Sequence, residues 1–136
     1  MPFFQEATFH DRQATGSTTP QSTSSTTFID ITGATITTKN LGEPGNYAAS
    51  TSLLVSNTNN NSTISIRATL DGVPVGVPAT IKIRTKDLDI GYTLLTTISG
   101  IESGKVIQLQ MATDIGTLTL SEYAISVDGV PDSRVV

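Results

Sequence analysis

The chain holds one histidine, His10, placed between a phenylalanine-rich start and a run rich in Ser and Thr. Catalysis by a Ser–His–Asp set needs the imidazole held rigidly beside both partners. A histidine at the head of a polar arm has no such support, so no nucleophilic site is expected. Asp87 and Asp89 flank Leu88, and in an extended segment both carboxylates face one side, where they could accept a cation or act as an acid–base pair. Lys86 adjoins them and no third carboxylate is near in sequence, so a solvated loop tip is the expectation. Asp71, Asp114, Asp128 and Asp132 stand at or close to Gly or Pro, where Asp serves for its turn-forming side chain. Gly72, Gly76 and Gly91 lack the spacing of a phosphate-binding loop. These patterns give no catalytic residue, no metal ligand and no cofactor site, and the chain is not expected to be an enzyme.

Binding chemistry is also sparse. Tyr47, Tyr92 and Tyr123 would make a sugar platform only if exposed, and all three fall on rows that alternation turns inward. The acceptor-like pattern at Asn60 to Thr63 reads as a polar turn. What stands out is the first nine residues, MPFFQEATF, which place Phe3, Phe4 and Phe9 together in a chain with four Phe in all. Fully burying one Phe contributes roughly 1.5–3 kcal/mol, so three anchors offset much of the cost of ordering a tether. These three are the candidate partner-binding residues.

Composition bounds the rest. One domain is expected from 136 residues. No Cys is present, which excludes a disulfide framework and thiolate metal sites. Ser and Thr supply 37 residues while Lys and Arg supply only eight, and the net charge is −4. A phosphate-neutralising surface cannot be assembled from so few cations, so nucleic acid is not an expected partner. No apolar run approaches 18 residues, and Met1 to His10 lacks the basic and apolar parts of a secretory signal, so neither membrane insertion nor standard secretion is expected.

Two regions follow. Residues 1–27 read as a flexible or extended docking arm, because residues 11–27 hold one apolar side chain, Ala14, among Ser, Thr, Gln, Gly and Pro. From residue 28 to 136 the pattern alternates with period two, as strands with one buried face require. The rows are Ile29 and Ile31; Tyr47 to Val55; Ile64, Ile66, Ala68 and Leu70; Ile81 and Ile83; Tyr92 to Ile98; and Ile107, Leu109 and Met111. Leu118 and Leu120 share one parity and Tyr123, Ile125 and Val127 the other, so a bulge or turn at Ser121–Glu122 is expected to reset the face. Asp-Gly-Val-Pro occurs twice, at Asp71 and at Asp128, and reads as repeated turn chemistry rather than a duplicated half. The fold class is all-β: a two-sheet antiparallel sandwich of jelly-roll type with about eight strands and an extended N-terminal arm. An immunoglobulin-like sandwich is the rival.

Residues 28–129 resemble, in order and texture, the jelly-roll domains of tumour necrosis factor, the complement globular head and their bacteriophage relatives. Gly45–Tyr47 opens a central row, Leu70-Asp71-Gly72 closes another, and Ser103-Gly104 precedes the apolar–Gln alternation of Val106 to Met111. The Cys-free, Thr-rich domain with its N-terminal tether looks like a bacteriophage capsid decoration, or cement, protein. That resemblance implies a homotrimer on the outer capsid surface of the virion, with the major capsid protein as partner and the Phe arm clasping the capsid or an adjacent subunit. The same domain type implies a rival function, the receptor- or glycan-binding head of a tail fibre or spike, working through Asn57 to Asn61 or Asp87 to Asp89.

Overall fold

The computed structural model describes residues 10–42 and 44–131. They form nine strands: β1 (Asp11–Ser17), β2 (Gln21–Thr23), β3 (Ile29–Thr37), β4 (Gly45–Asn57), β5 (Ser62–Leu70), β6 (Val73–Ile83), β7 (Ile90–Ile101), β8 (Val106–Thr113) and β9 (Leu118–Pro131). Every pairing is antiparallel. Sheet A runs β1-β9-β4-β7, with β2 following β1 along the same edge of β9, and sheet B runs β3-β8-β5-β6. The pairs β2·β9, β3·β8, β4·β7 and β5·β6 are nested in the chain and alternate between the sheets. That nesting is a jelly roll.

Alternation places the core as the sequence pattern requires. Tyr47, Leu53 and Val55 of β4, Ile64 and Ile66 of β5, Leu109 and Met111 of β8 and Tyr123, Ile125 and Val127 of β9 are all buried between the sheets. Each fully buried aliphatic chain contributes roughly 1.5–3 kcal/mol, and the period of two puts one on every second residue. The parity change near the C-terminus is a bulge in one bent strand: Leu54 pairs Glu122 and Val55 pairs Leu120, leaving Ser121 between them. The two-residue link Asp71-Gly72 joins β5 to β6 with both residues at positive φ (49° and 86°), the geometry that a tight hairpin needs and that Asp-Gly tolerates. Asp71 also accepts from the Val106 amide at 2.7 Å and lies 3.4 Å from Lys105 Nζ, tying this tip to the start of β8. Those amide and ammonium groups hold its carboxyl below the usual range.

The stretch read above as an arm differs from that expectation. Residues 11–17 and 21–23 are strands β1 and β2, paired residue by residue with β9. The division at residue 27 therefore does not mark where the sheets begin, and the strand count is nine rather than about eight. Composition misleads here because the sheet-facing residues of β1 are Asp11, Gln13 and Thr15, polar side chains where a core strand would carry aliphatics. The second Asp-Gly-Val-Pro also departs from its expected role. Asp128 and Gly129 lie inside β9, paired with β1 and β4, and make no turn. Glycine is required at 129 by proximity: a Cβ there would overlap the Tyr47 ring.

Candidate functional site

The residues of sheet A that point away from the core form registered rows across four strands. Arg12 pairs Asp128, which pairs Ala48, which pairs Thr97. The next rows are Ala14–Ser126–Ser50–Leu95 and Gly16–Ala124–Ser52–Thr93. Both are uncharged, and apart from Leu95 they carry only Gly, Ala, Ser and Thr. Alternation within β4 and β9 forces this arrangement, since the apolar residues that build the core leave the opposite parity for the outside.

Short side chains leave the face furrowed. A depression of about 750 Å³ runs between Gly16, Ser52, Gly91, Glu122 and Ala124. A second, of about 460 Å³, continues it past Ala14, Ser50 and Ser126. Charge is confined to the margins: Glu122 at one end, and at the other Arg12, whose Nε lies 3.5 Å from Asp128 Oδ1. Leu95, 69% exposed, is the one large apolar side chain in these rows. The surface is shallow and presents closely approached backbone, methyl groups and hydroxyls.

The edge of this face is held by a buried carboxylate. Asp11, 1% exposed, accepts from Tyr47 Oη at 2.5 Å, from the Lys39 amide at 2.9 Å and from Gln13 Nε2 at 2.8 Å. Burial raises the Asp11 pKa, but the Tyr47, Lys39 and Gln13 donors outweigh it and the net direction is down. Tyr47 moves the opposite way: burial, then the adjoining carboxylate, push its hydroxyl up. This clamp ties β1 to Tyr47 of β4 and to the β3–β4 connection, with the Tyr47 ring seated over Gly129, and it was not foreseen in the sequence, where Asp11 reads as one more polar residue.

The remaining candidate residues are placed as follows. Phe3, Phe4 and Phe9 lie outside the described residues. His10 is exposed, with Nδ1 3.5 Å from Asp128 Oδ1. Asp87 and Asp89 are both exposed in the β6–β7 connection, where Asp87 has φ 61° and its amide donates to the Asn57 carbonyl. Among the described residues no group of three His, Cys, Asp or Glu is arranged to hold a metal ion. Tyr47 and Tyr123 are buried and Tyr92 half-buried, which leaves no exposed tyrosine platform. Asn57 is buried and donates to Thr113 Oγ1 at 2.9 Å, fastening the β4–β5 turn to the end of β8, while Thr58 to Asn61 are exposed.

No protein-family model and no curated protein sequence matches the chain. Solved structures do match in fold. The infectious bursal disease virus VP2 subviral particle aligns with 92% of this chain and 33% of its own, at 11% identity and TM-score 0.60. Dimeric latent PorU from Porphyromonas gingivalis aligns with 93% of this chain but 14% of its own, at 6% identity and TM-score 0.58. Eiger TNF from S. frugiperda aligns with 91% of this chain and 96% of its own, at 9% identity and TM-score 0.54. The chain thus spans a third or less of the first two and nearly the whole of the third. The likeness establishes the class: a jelly-roll domain of the kind seen both in a viral capsid protein and in a tumour necrosis factor.

Proposed function

We propose that the chain is a structural protein of a virion, a phage head decoration or cement protein that binds the outer capsid surface as a homotrimer and stabilises it. The observation that carries the reading is the outer face of sheet A. Two uncharged rows that apart from Leu95 hold only Gly, Ala, Ser and Thr, with charge only at the ends, suit a broad contact in which backbones approach closely and no buried ion must be desolvated. The Phe-rich start at residues 3–9 adds apolar anchors next to the first strand. Mechanically, many copies each burying a standard-sized interface sum to resistance against internal pressure without any single strong site. This is a non-enzymatic function and asks for no cofactor.

The test is co-sedimentation of the purified protein with empty shells of its phage, beside a Phe3/Phe4/Phe9→Ala version, with light scattering for mass. Binding by an intact trimer and loss of binding in the triple variant is the expected result. A chain that ignores shells and binds host cells saturably would overturn it in favour of a receptor-binding head.

A further inference from the structure

Sheets end in strands whose outer backbone groups are unpaired, and proteins blunt such edges with charge, proline, bulges or brevity. Three of the four edges here are blunted. The β1/β2 edge is short and carries Asp11 and Arg12; β3 breaks register between Asp30 and Thr35; β6 carries Pro74 and Pro78 around a register shift. The fourth, β7, is 12 residues long, has neither Pro nor a charged side chain, and among the described residues pairs with β4 alone.

The core is also open along this edge. Ile90, Tyr92, Leu94 and Ile98 face inward, yet each is only partly buried, as is Val75 on β6 across the seam. Val77 on the β6 bulge is 90% exposed and Leu95 on β7 is 69% exposed. Among the described residues no further strand lies beside them to cover them.

We propose that β7 receives residues 3–9 of a second copy of this chain as an added strand, whose Phe side chains cover the seam between β6 and β7. The segment fits in length and pattern. Phe3 to Phe9 is as long as Tyr92 to Ile98, and in extended form Phe3, Gln5, Ala7 and Phe9 face one side while Phe4, Glu6 and Thr8 face the other. Phe3 and Phe9 then lie over Tyr92, Leu94 and Ile98, and Phe4 lies beside Leu95. A chain cannot do this to itself. Asp11 is registered to Gly129 at the edge of sheet A opposite β7. Three inter-strand spacings, about 14 Å, separate the two edges, whereas Phe9 is within two residues of Asp11 and so within about 7 Å of it. The donor must be a neighbour, and backbone pairing with alternate side-chain anchoring is the strand-addition mode of recognition. This inference rests on the docking role given above to the Phe segment and names its receptor.

Because the chain has no Cys, single-cysteine variants of the full chain test it cleanly. A Phe4→Cys chain, its thiol in the proposed pairing on the same outward face as Leu95, is mixed under oxidising conditions with isotope-labelled Thr93→Cys, Leu95→Cys or Thr97→Cys chains, with Ser65→Cys on the outer face of β5 as control. A mixed disulfide at a β7 position, at least tenfold above the Ser65→Cys yield, is expected; equal yields, or none at β7, overturn the proposal. In the full-length Phe3/Phe4/Phe9→Ala variant, amides of Tyr92 to Ile98 should exchange with solvent at least tenfold faster while β5 is unchanged. Unchanged exchange in β7 would overturn it as well. Mixed disulfides formed by a chain that does not sediment with shells would refute the decoration reading and leave arm exchange standing; shell binding without mixed disulfides would do the reverse.

Discussion

On the outer face of sheet B, Arg67 donates to Gln110, Gln110 donates to Asp30, Thr35 bonds Gln108, and the Arg67 guanidinium lies 4.1 Å from the centre of the Phe28 ring. Gln108 also reaches the Ile31 carbonyl at 2.9 Å. On the outer face of sheet A the matching positions hold Ala14, Ser126, Ser50, Gly16, Ala124 and Ser52. The difference lies in how the polar groups are used. Long side chains on sheet B spend their donors and acceptors on each other, which ties β3, β8 and β5 together and leaves a surface complete in itself. Short side chains on sheet A lose almost no rotamer freedom when a partner lands and let it come close to the backbone. One face ties its own sheet together, and the other carries the short side chains on which the proposed contact rests.

The comparison breaks most severely where sheet A is supported from within. Gly129→Val sets methyl groups into the Tyr47 ring and should cost about 3 kcal/mol through overpacking, read as a fall in the urea midpoint. An unchanged midpoint would mean that Tyr47 does not hold β9 in place. Asp11→Ala comes next, at roughly 2 kcal/mol, since it leaves the Tyr47 hydroxyl and the Lys39 amide without their acceptor. Its pH dependence has a fixed sign. The folded pKa lies below the ordinary 3.8, so the stabilisation is complete at neutral pH and is lost as pH falls through and below that value. Acid titration of the wild type followed by circular dichroism, against Asp11→Asn, should show the wild type converging on the variant in this window. On sheet B, Arg67→Ala should cost about 1 kcal/mol, from one hydrogen bond and the Phe28 contact, and leave the oligomeric mass as it is. A drop in mass on that substitution would show that sheet B, too, meets a partner. Ser50→Arg should change the stability of the folded subunit least, by about 0.5 kcal/mol or less, as exposed substitutions do.

Much of this architecture is visible in the amino-acid sequence. The inward rows Ile64-Ile66-Ala68 and Ile107-Leu109-Met111 announce themselves by period, and the parity change between Leu120 and Tyr123 locates the bulge at Ser121. Strands β1 and β2 do not announce themselves, because strands at a sheet edge are secured here by backbone pairing to β9 and by one buried carboxylate, neither of which leaves an apolar period. The second Asp-Gly-Val-Pro shows the same limit: the dipeptide that makes a tight turn after Leu70 lies flat in β9, where the Tyr47 ring occupies the space a side chain would need. The outward residues of β4 and β9 are legible as a parity, Ala48-x-Ser50-x-Ser52 and Ala124-x-Ser126. Parity separates inside from outside, but whether the outside meets water or protein depends on what the neighbouring strands place in register, and only the β1·β9·β4·β7 alignment brings the small residues into continuous rows.

The central claim is that the outer face of sheet A is the contact surface and that of sheet B is not. Ser50→Arg and Ser126→Arg on the first, with Ser65→Arg on the second, test it together by light scattering and by sedimentation with empty shells. The account predicts that the two sheet A variants remain folded and lose shell binding, while Ser65→Arg keeps it. Loss of association by Ser65→Arg with both sheet A variants unaffected would contradict it.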